Sequence, residues 1–283
     1  MPVPRVWLPA PKVILEAEGI RKMGAAYSTP SMGLSHIIFV HSMLSYASAF
    51  LWIIAYVALY QKLYQEKSAA GISLQSLIAF CFVELSEVFL LFINSKYIRF
   101  SFGYCISVCS AAFVSSAALI HTYRNFISSY DWKKDGFGRR FSTLVFPAFL
   151  KRFYWLFLYL LAFALSIPFT VYRRADIPIV LSFLECFNDS IIAIALLPQL
   201  HMFYSSNHRA IKGLLGRFVI CLLLARIFSF VYWLLYPSFY SIFPTGRGIH
   251  LLTDSLNVLI LADFTYYFIK AKLQRMEDID LPT

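Results

Sequence analysis

Long apolar runs separated by short polar breaks set the rhythm of this chain. Seven stretches stay predominantly apolar for about 20 residues or more: 36–63, 74–93, 97–121, 153–172, 177–203, 214–236 and 249–269. About 20 such residues in a helix cross a hydrocarbon core roughly 30 Å thick. Backbone groups in lipid must be satisfied within the segment, so each stretch is predicted to be a helix. The strip 141–150 is also apolar, but Lys151-Arg152 closes it after ten residues, and it reads as an interfacial approach to the fourth span. The pattern predicts an all-α polytopic membrane protein with seven transmembrane helices over 36–270. A flexible lumenal extension, 1–35, precedes them and a cytosolic tail, 271–283, follows. Five prolines interleaved with charges break up the extension, leaving room for a short amphipathic turn near 13–20 and no signal-peptide core of the usual length.

Composition agrees: 59% of the 283 residues are apolar and 14% charged, against about a quarter charged in soluble chains. A net charge of +10 would suggest nucleic acid if it were clustered. It is instead sorted by side. Fifteen of the 25 Lys and Arg residues fall in the first, third and fifth loops and the tail, and nine in the amino-terminal extension and the alternate loops. That bias places the carboxy terminus in the cytosol and the amino terminus in the lumen, with membrane lipid as the surroundings and no nucleic acid as a partner. All five cysteines fall inside spans, where they read as packing groups. The six histidines have no metal-ligand spacing, and no Gly-rich phosphate loop or nucleophile–base set is visible. Neither an enzyme nor a cofactor is expected.

Ionisable residues at membrane depth cost several kcal/mol unless they pair, protonate or face water, so they mark candidate function. Six acids lie within spans: Glu84 and Glu87, Glu185 and Asp189, Asp254 and Asp263; Arg226 is the one Lys or Arg deep within a span and away from its ends. Glu84/Glu87 and Glu185/Asp189 each share a helix face. With alternating span directions, Glu87, Glu185 and Asp254 fall in the lumenal half and Asp263 nearer the cytosol. Two readings stay open: Arg226 locks helices by pairing with Asp189 or Glu84, or the acids form a pH-responsive lumenal pocket that favours a basic group.

Two helix ends look related. The first span runs through Gln61-Lys62 into Lys67-Ser68-Ala69-Ala70-Gly71-Ile72-Ser73, and the fifth ends Leu196-Leu197-Pro198-Gln199-Leu200 before Ser205-Ser206-Asn207. Spans one to three and five to seven then read as two parallel three-helix repeats joined by the fourth helix. Pro198 removes an intrahelical hydrogen bond and is placed to kink the fifth span.

These elements carry a resemblance. Ala70-Gly71-Ile72-Ser73 with Ser76, Tyr130-Asp131 with Asp135 and Phe137, the Pro198-Gln199 block, Trp233, Asp263-Phe264 with Tyr266, Tyr267, Ile269 and Lys270, and the closing Leu281-Pro282-Thr283 resemble, in order and spacing, the KDEL receptors, the ER lumen protein-retaining receptors. The resemblance covers roughly residues 42–283. It implies a Pro-Gln-loop, sugar-transporter-like fold without catalysis, in the membranes of the endoplasmic reticulum and Golgi. It further implies a receptor that binds the carboxy-terminal signal of escaped lumenal proteins in the acidic Golgi. Coat proteins of retrograde vesicles would return it for release at higher pH. Asp263 then matches an aspartate needed for return, and Lys270 and Lys272 resemble the basic tail that coats read.

The departures concern the ligand. Pocket arginines of the family make bidentate bonds to an acidic peptide and its carboxylate. Here Ser45 stands for one, Glu87-Val88 for an arginine–tyrosine pair and Tyr236 for a third arginine; Trp52 replaces a histidine, and Arg226 alone is retained, after Ala225. The expected ligand chamber comprises Ser45, Glu87, Glu185, Asp189, Arg226, Trp233 and Asp254, with altered specificity. The alternative reading is a Pro-Gln-loop transporter of a small cationic solute, coupled to protons or not.

Overall fold

A computed structural model describes residues 32–94, 102–145, 147, 151–173, 178–204, 210–235, 244–274 and 278–280. Its elements, in chain order, are α1 (Met32–Glu66), α2 (Leu74–Asn94), α3 (Phe102–Phe126), the short α4 (Arg139–Val145), α5 (Leu156–Arg173), α6 (Ile179–Ile194), α7 (Leu197–Tyr204), α8 (Gly213–Leu234) and α9 (Pro244–Leu273). Two three-residue strands, β1 (Ala210–Lys212) and β2 (Asp278–Asp280), pair antiparallel and strap the end of the chain to the segment that enters α8. The turn predicted near 13–20, and the tail motif at 281–283, lie outside the described residues.

Among the described residues, five segments are long and apolar enough to cross a membrane: Met43–Glu66, Leu74–Ile93, Cys105–Ser129, Ile179–Tyr204 and Leu214–Leu234. The other two of the seven expected spans fall short for different reasons. The apolar part of α5, Leu156–Tyr172, is brief. α9 has the length, 30 residues, but its middle carries Asp254, Asn257 and Asp263. The described part of the strip 141–150 is mainly α4, which at seven residues gives about 10 Å of helix, and Phe141 lies flat on Phe157 with ring centroids 4.9 Å apart.

The distribution of polarity is inverted relative to a water-soluble bundle. Phe113 is 74% exposed, Ile179 74% and Leu259 70%, while Ser182, Glu185, Asn188, Gln199, Asp254 and Asn257 are buried. Apolar groups facing outward all round and polar groups facing inward suit a solvent of acyl chains. α6 shows this most clearly, burying Ser182, Glu185, Asn188 and Ser190. Between the polar groups an apolar core of Tyr56, Leu59 and Leu63 from α1, Leu77, Phe80 and Val83 from α2, and Phe218 and Leu222 from α8 fills the bundle.

The break between α6 and α7 falls where Pro198 predicts it. Proline has no N–H to offer the carbonyl of Ile194, so the helix turns at Ala195-Leu196 and resumes, with Leu200 N–H donating to Leu196 O at 2.9 Å. α1 packs along α8, α2 against α3 and α6, α3 also against α1, α9 against α8 and α6, and α5 against α6.

Candidate functional site

Polar side chains from α1, α2, α3, α6, α8 and α9 enclose a cavity of about 230 Å³ in one half of the bundle. α1 contributes Ser45, Ser48 and Trp52; α2 contributes Glu84 and Glu87, three residues apart and hence on one face. Asp189 of α6, Arg226, Ser229 and Trp233 of α8, and His250 of α9 close the opposite wall. Ser48 donates its hydroxyl to Ala225 O at 2.9 Å, fastening α1 to α8 beside the cavity.

The charges inside are mostly committed to one another. Arg226 Nη1 lies 3.4 Å from Asp254 Oδ1, and the guanidinium sits 5.0 Å above the Trp52 ring, a cation–π distance. His250 Nδ1 lies 3.4 Å from Asp189 Oδ2, and its ring stacks on Trp233 at 4.2 Å and 8°. Asn188 Nδ2 donates to Glu87 Oε1 at 3.0 Å. Arg226 thus pairs with Asp254, a helix neighbour to which chain order gives no clue, and not with Asp189 or Glu84. With the Arg226 charge met by Asp254, Glu84 and Glu87 give the walls a carboxylic bias.

Of the residues expected in the chamber, Ser45, Glu87, Asp189, Arg226 and Trp233 line it. Asp254 stands behind Arg226, and Glu185 is buried on α6 without reaching the wall. His250 went unnoticed in the sequence as one of six scattered histidines; its spacing of four residues from Asp254 on one helix face was the available signal. Asp263, Lys270 and Lys272 lie on α9 far along the helix from His250, and Lys270 is exposed. No group of metal-ligating side chains occurs among the described residues.

At the other end of the bundle, three of the sequence blocks singled out above meet in one hydrogen-bonded knot. Gln199 Oε1 accepts from Ser73 N–H at 2.8 Å, Gln199 Nε2 donates to Gly71 O at 2.6 Å, and Gln199 N–H donates to Ser76 Oγ at 3.1 Å. Asp135 completes it: Oδ1 accepts from Ser73 Oγ at 2.8 Å, Oδ2 accepts from Gln75 N–H at 3.3 Å and from the Tyr130 hydroxyl. Asp135 is 1% exposed, so the third loop is not the plain polar loop its composition suggests. Burial pushes the Asp135 carboxyl above the ordinary aspartate range, although the Tyr130 and Ser73 hydroxyls and the Gln75 N–H work against that rise. Burial, reinforced by the Asp135 charge, likewise pushes the Tyr130 phenol up.

Comparison with known proteins agrees with this layout. Over 217 residues the chain is 26% identical to the ER lumen protein-retaining receptor of Dictyostelium discoideum, covering 75% of this chain and 86% of that protein. The family described as ER lumen protein retaining receptor matches residues 68–236, which include the Ser73–Gln199–Asp135 knot and the chamber walls from α2, α3, α6 and α8. This membrane chain, with its polar interior and its Pro-Gln element tied into the α1–α2 turn, belongs to the ER lumen protein retaining receptor family.

Proposed function

We propose that the chain is a retrieval receptor of the early secretory pathway whose chamber opens to the lumen and takes a carboxy-terminal signal bearing a cationic group. One observation carries the reading: Glu84, Glu87 and Asp189 line the cavity, while its one arginine is already matched by Asp254. An acidic peptide entering there finds the arginine already matched, whereas a lysine or arginine side chain finds carboxyl oxygens that accept charge-assisted hydrogen bonds. The Asp189 carboxylate also faces His250 at 3.4 Å, a pair that is ionic only when the imidazole carries a second proton.

The wider architecture follows the same reading: seven crossings in two three-helix repeats, with α5 as connector. The packing supports it by exchange. If α1, α2 and α3 correspond to α6–α7, α8 and α9, then α1 on α8 matches α6 on α2, α2 on α3 matches α8 on α9, and α1 on α3 matches α6 on α9. The Lys and Arg bias of the loops supports a lumenal amino terminus and a cytosolic tail, where Asp263, Lys270 and Lys272 would serve return by coat proteins. Family membership favours this receptor over the transporter of a cationic solute.

The test is binding of purified protein to carboxy-terminal peptides with acidic, neutral and basic residues before the terminus, between about pH 5.5 and 7.5. Basic peptides should bind best, and Glu87→Gln should weaken them by at least about tenfold. Tightest binding of acidic peptides, unaffected by Glu87→Gln, would overturn the proposed specificity.

A further inference from the structure

A second cavity lies on the outer surface, away from the chamber. It is about 640 Å³, and α1 and α3 form it. Tyr60 of α1 and Phe113, Ala117 and Ile120 of α3 make its floor and sides. Phe113, Ile120 and Tyr60 are exposed, so the groove faces outward, toward acyl chains in a bilayer. At the end nearest the third loop it turns polar: His121 stacks on Tyr60 at 4.7 Å, Asn125 Nδ2 lies 2.8 Å from His121 Nδ1, and Arg124 joins the wall one residue before Asn125. No Asp or Glu lines it.

We propose that this groove holds one anionic phospholipid of the leaflet on the third-loop side. Its acyl chain would lie along Phe113, Ala117 and Ile120, and its phosphate at Arg124 and Asn125. Length and charge both select that occupant. Phe113 to Arg124 is eleven residues, a helical rise of about 16 Å, close to half of a hydrocarbon core roughly 30 Å thick. The apolar wall therefore spans one leaflet, and the cation sits at headgroup depth. Arg124 makes no ion pair among the described residues, and its planar fork suits a phosphate. A zwitterionic headgroup satisfies the apolar wall but carries its own cation beside the phosphate, so it offers the guanidinium no net counter-charge.

The proposal stands apart from the receptor reading, because the groove shares no residue with the chamber. The experiment is native mass spectrometry of the full chain released from detergent with phosphatidylserine, phosphatidylcholine or glycerol phosphate. Phosphatidylserine should be retained about fivefold over phosphatidylcholine, the preference one basic residue near a membrane surface supplies. Arg124→Gln should bring the two lipids to parity, Arg217→Gln at the start of α8 should not, and Ala117→Trp should lower retention of both. Glycerol phosphate alone should not be retained. Equal retention of both lipids by the wild type, full selectivity in Arg124→Gln, or an equal loss in Arg217→Gln would overturn the site; retention of glycerol phosphate to the level of the lipid would overturn its assignment to a lipid.

Discussion

Replacing Gln199 by methionine tests the knot that joins the Pro-Gln element to the α1–α2 turn. Methionine matches glutamine in length and lacks branching, so it fills the space without its two polar atoms. Two hydrogen bonds disappear, from Ser73 N–H at 2.8 Å and to Gly71 O at 2.6 Å, while Gln199 N–H to Ser76 Oγ is a backbone bond and survives. Gln199 is 1% exposed and Ser73 fully buried, so water does not reach the stranded Ser73 N–H, while Gly71 O is only partly buried. Two orphaned groups at about 1–3 kcal/mol each, less about 1 kcal/mol returned by burying the thioether, leave a loss of roughly 1–5 kcal/mol. At about 2–4 °C per kcal/mol for a chain of this size, the midpoint should fall by roughly 2–20 °C. Thermal unfolding in detergent, followed by the monodisperse fraction on size exclusion, reads it. A midpoint unchanged within about 1 °C would refute the claim that these bonds hold the two elements together.

Three further outcomes follow from the same structure. Arg226→Gln strands the buried Asp254 carboxylate and should cost about 3–5 kcal/mol, more than half of which Asp254→Asn in the same chain should restore; the thermal midpoints of the two singles and the double give the coupling. Gly138 sits at φ +81°, where an added Cβ would come 2.8 Å from Phe157 Cβ and 3.0 Å from Tyr154 O, so Gly138→Ala should destabilise by about 1–3 kcal/mol in the same assay. The native carboxyl of Asp135 titrates above its unfolded value, so its contribution is fully present below about pH 4 and is lost as pH rises through the elevated native value. The midpoint should therefore drop across that window, and Asp135→Asn should remove that part of the pH dependence.

Apolar runs and the Pro198 break were legible in the sequence because each depends on neighbours in the chain. Acyl-chain solvent and a missing N–H act locally, and the helices end near where the runs do. Membership of the chamber was partly legible: spacing placed Glu84 with Glu87, and alternating directions put Glu87, Glu185 and Asp254 in one half of the bundle, although of these three Glu87 alone lines the cavity. Pairing was not legible. Which acid meets Arg226 depends on how α8 and α9 are rotated about their axes, and on a ladder of acids several candidates share one depth. The burial of the third loop was illegible for a related reason: Asp135 is an ordinary loop aspartate until Ser73 and Gln75 meet it from the start of α2.

The pairing of Arg226 with Asp254 also bears on how the chain is made. A lone arginine or aspartate at the centre of a helix entering lipid from the translocon costs about 2.5–3.5 kcal/mol. α8 carries the first and, where α9 crosses as proposed above, α9 carries the second. Each burdens its own partition, and their contact relieves both, so the two helices gain by leaving the translocon as a hairpin. The poor hydropathy of α9 is then tolerable because a cation already waits for it in the preceding helix.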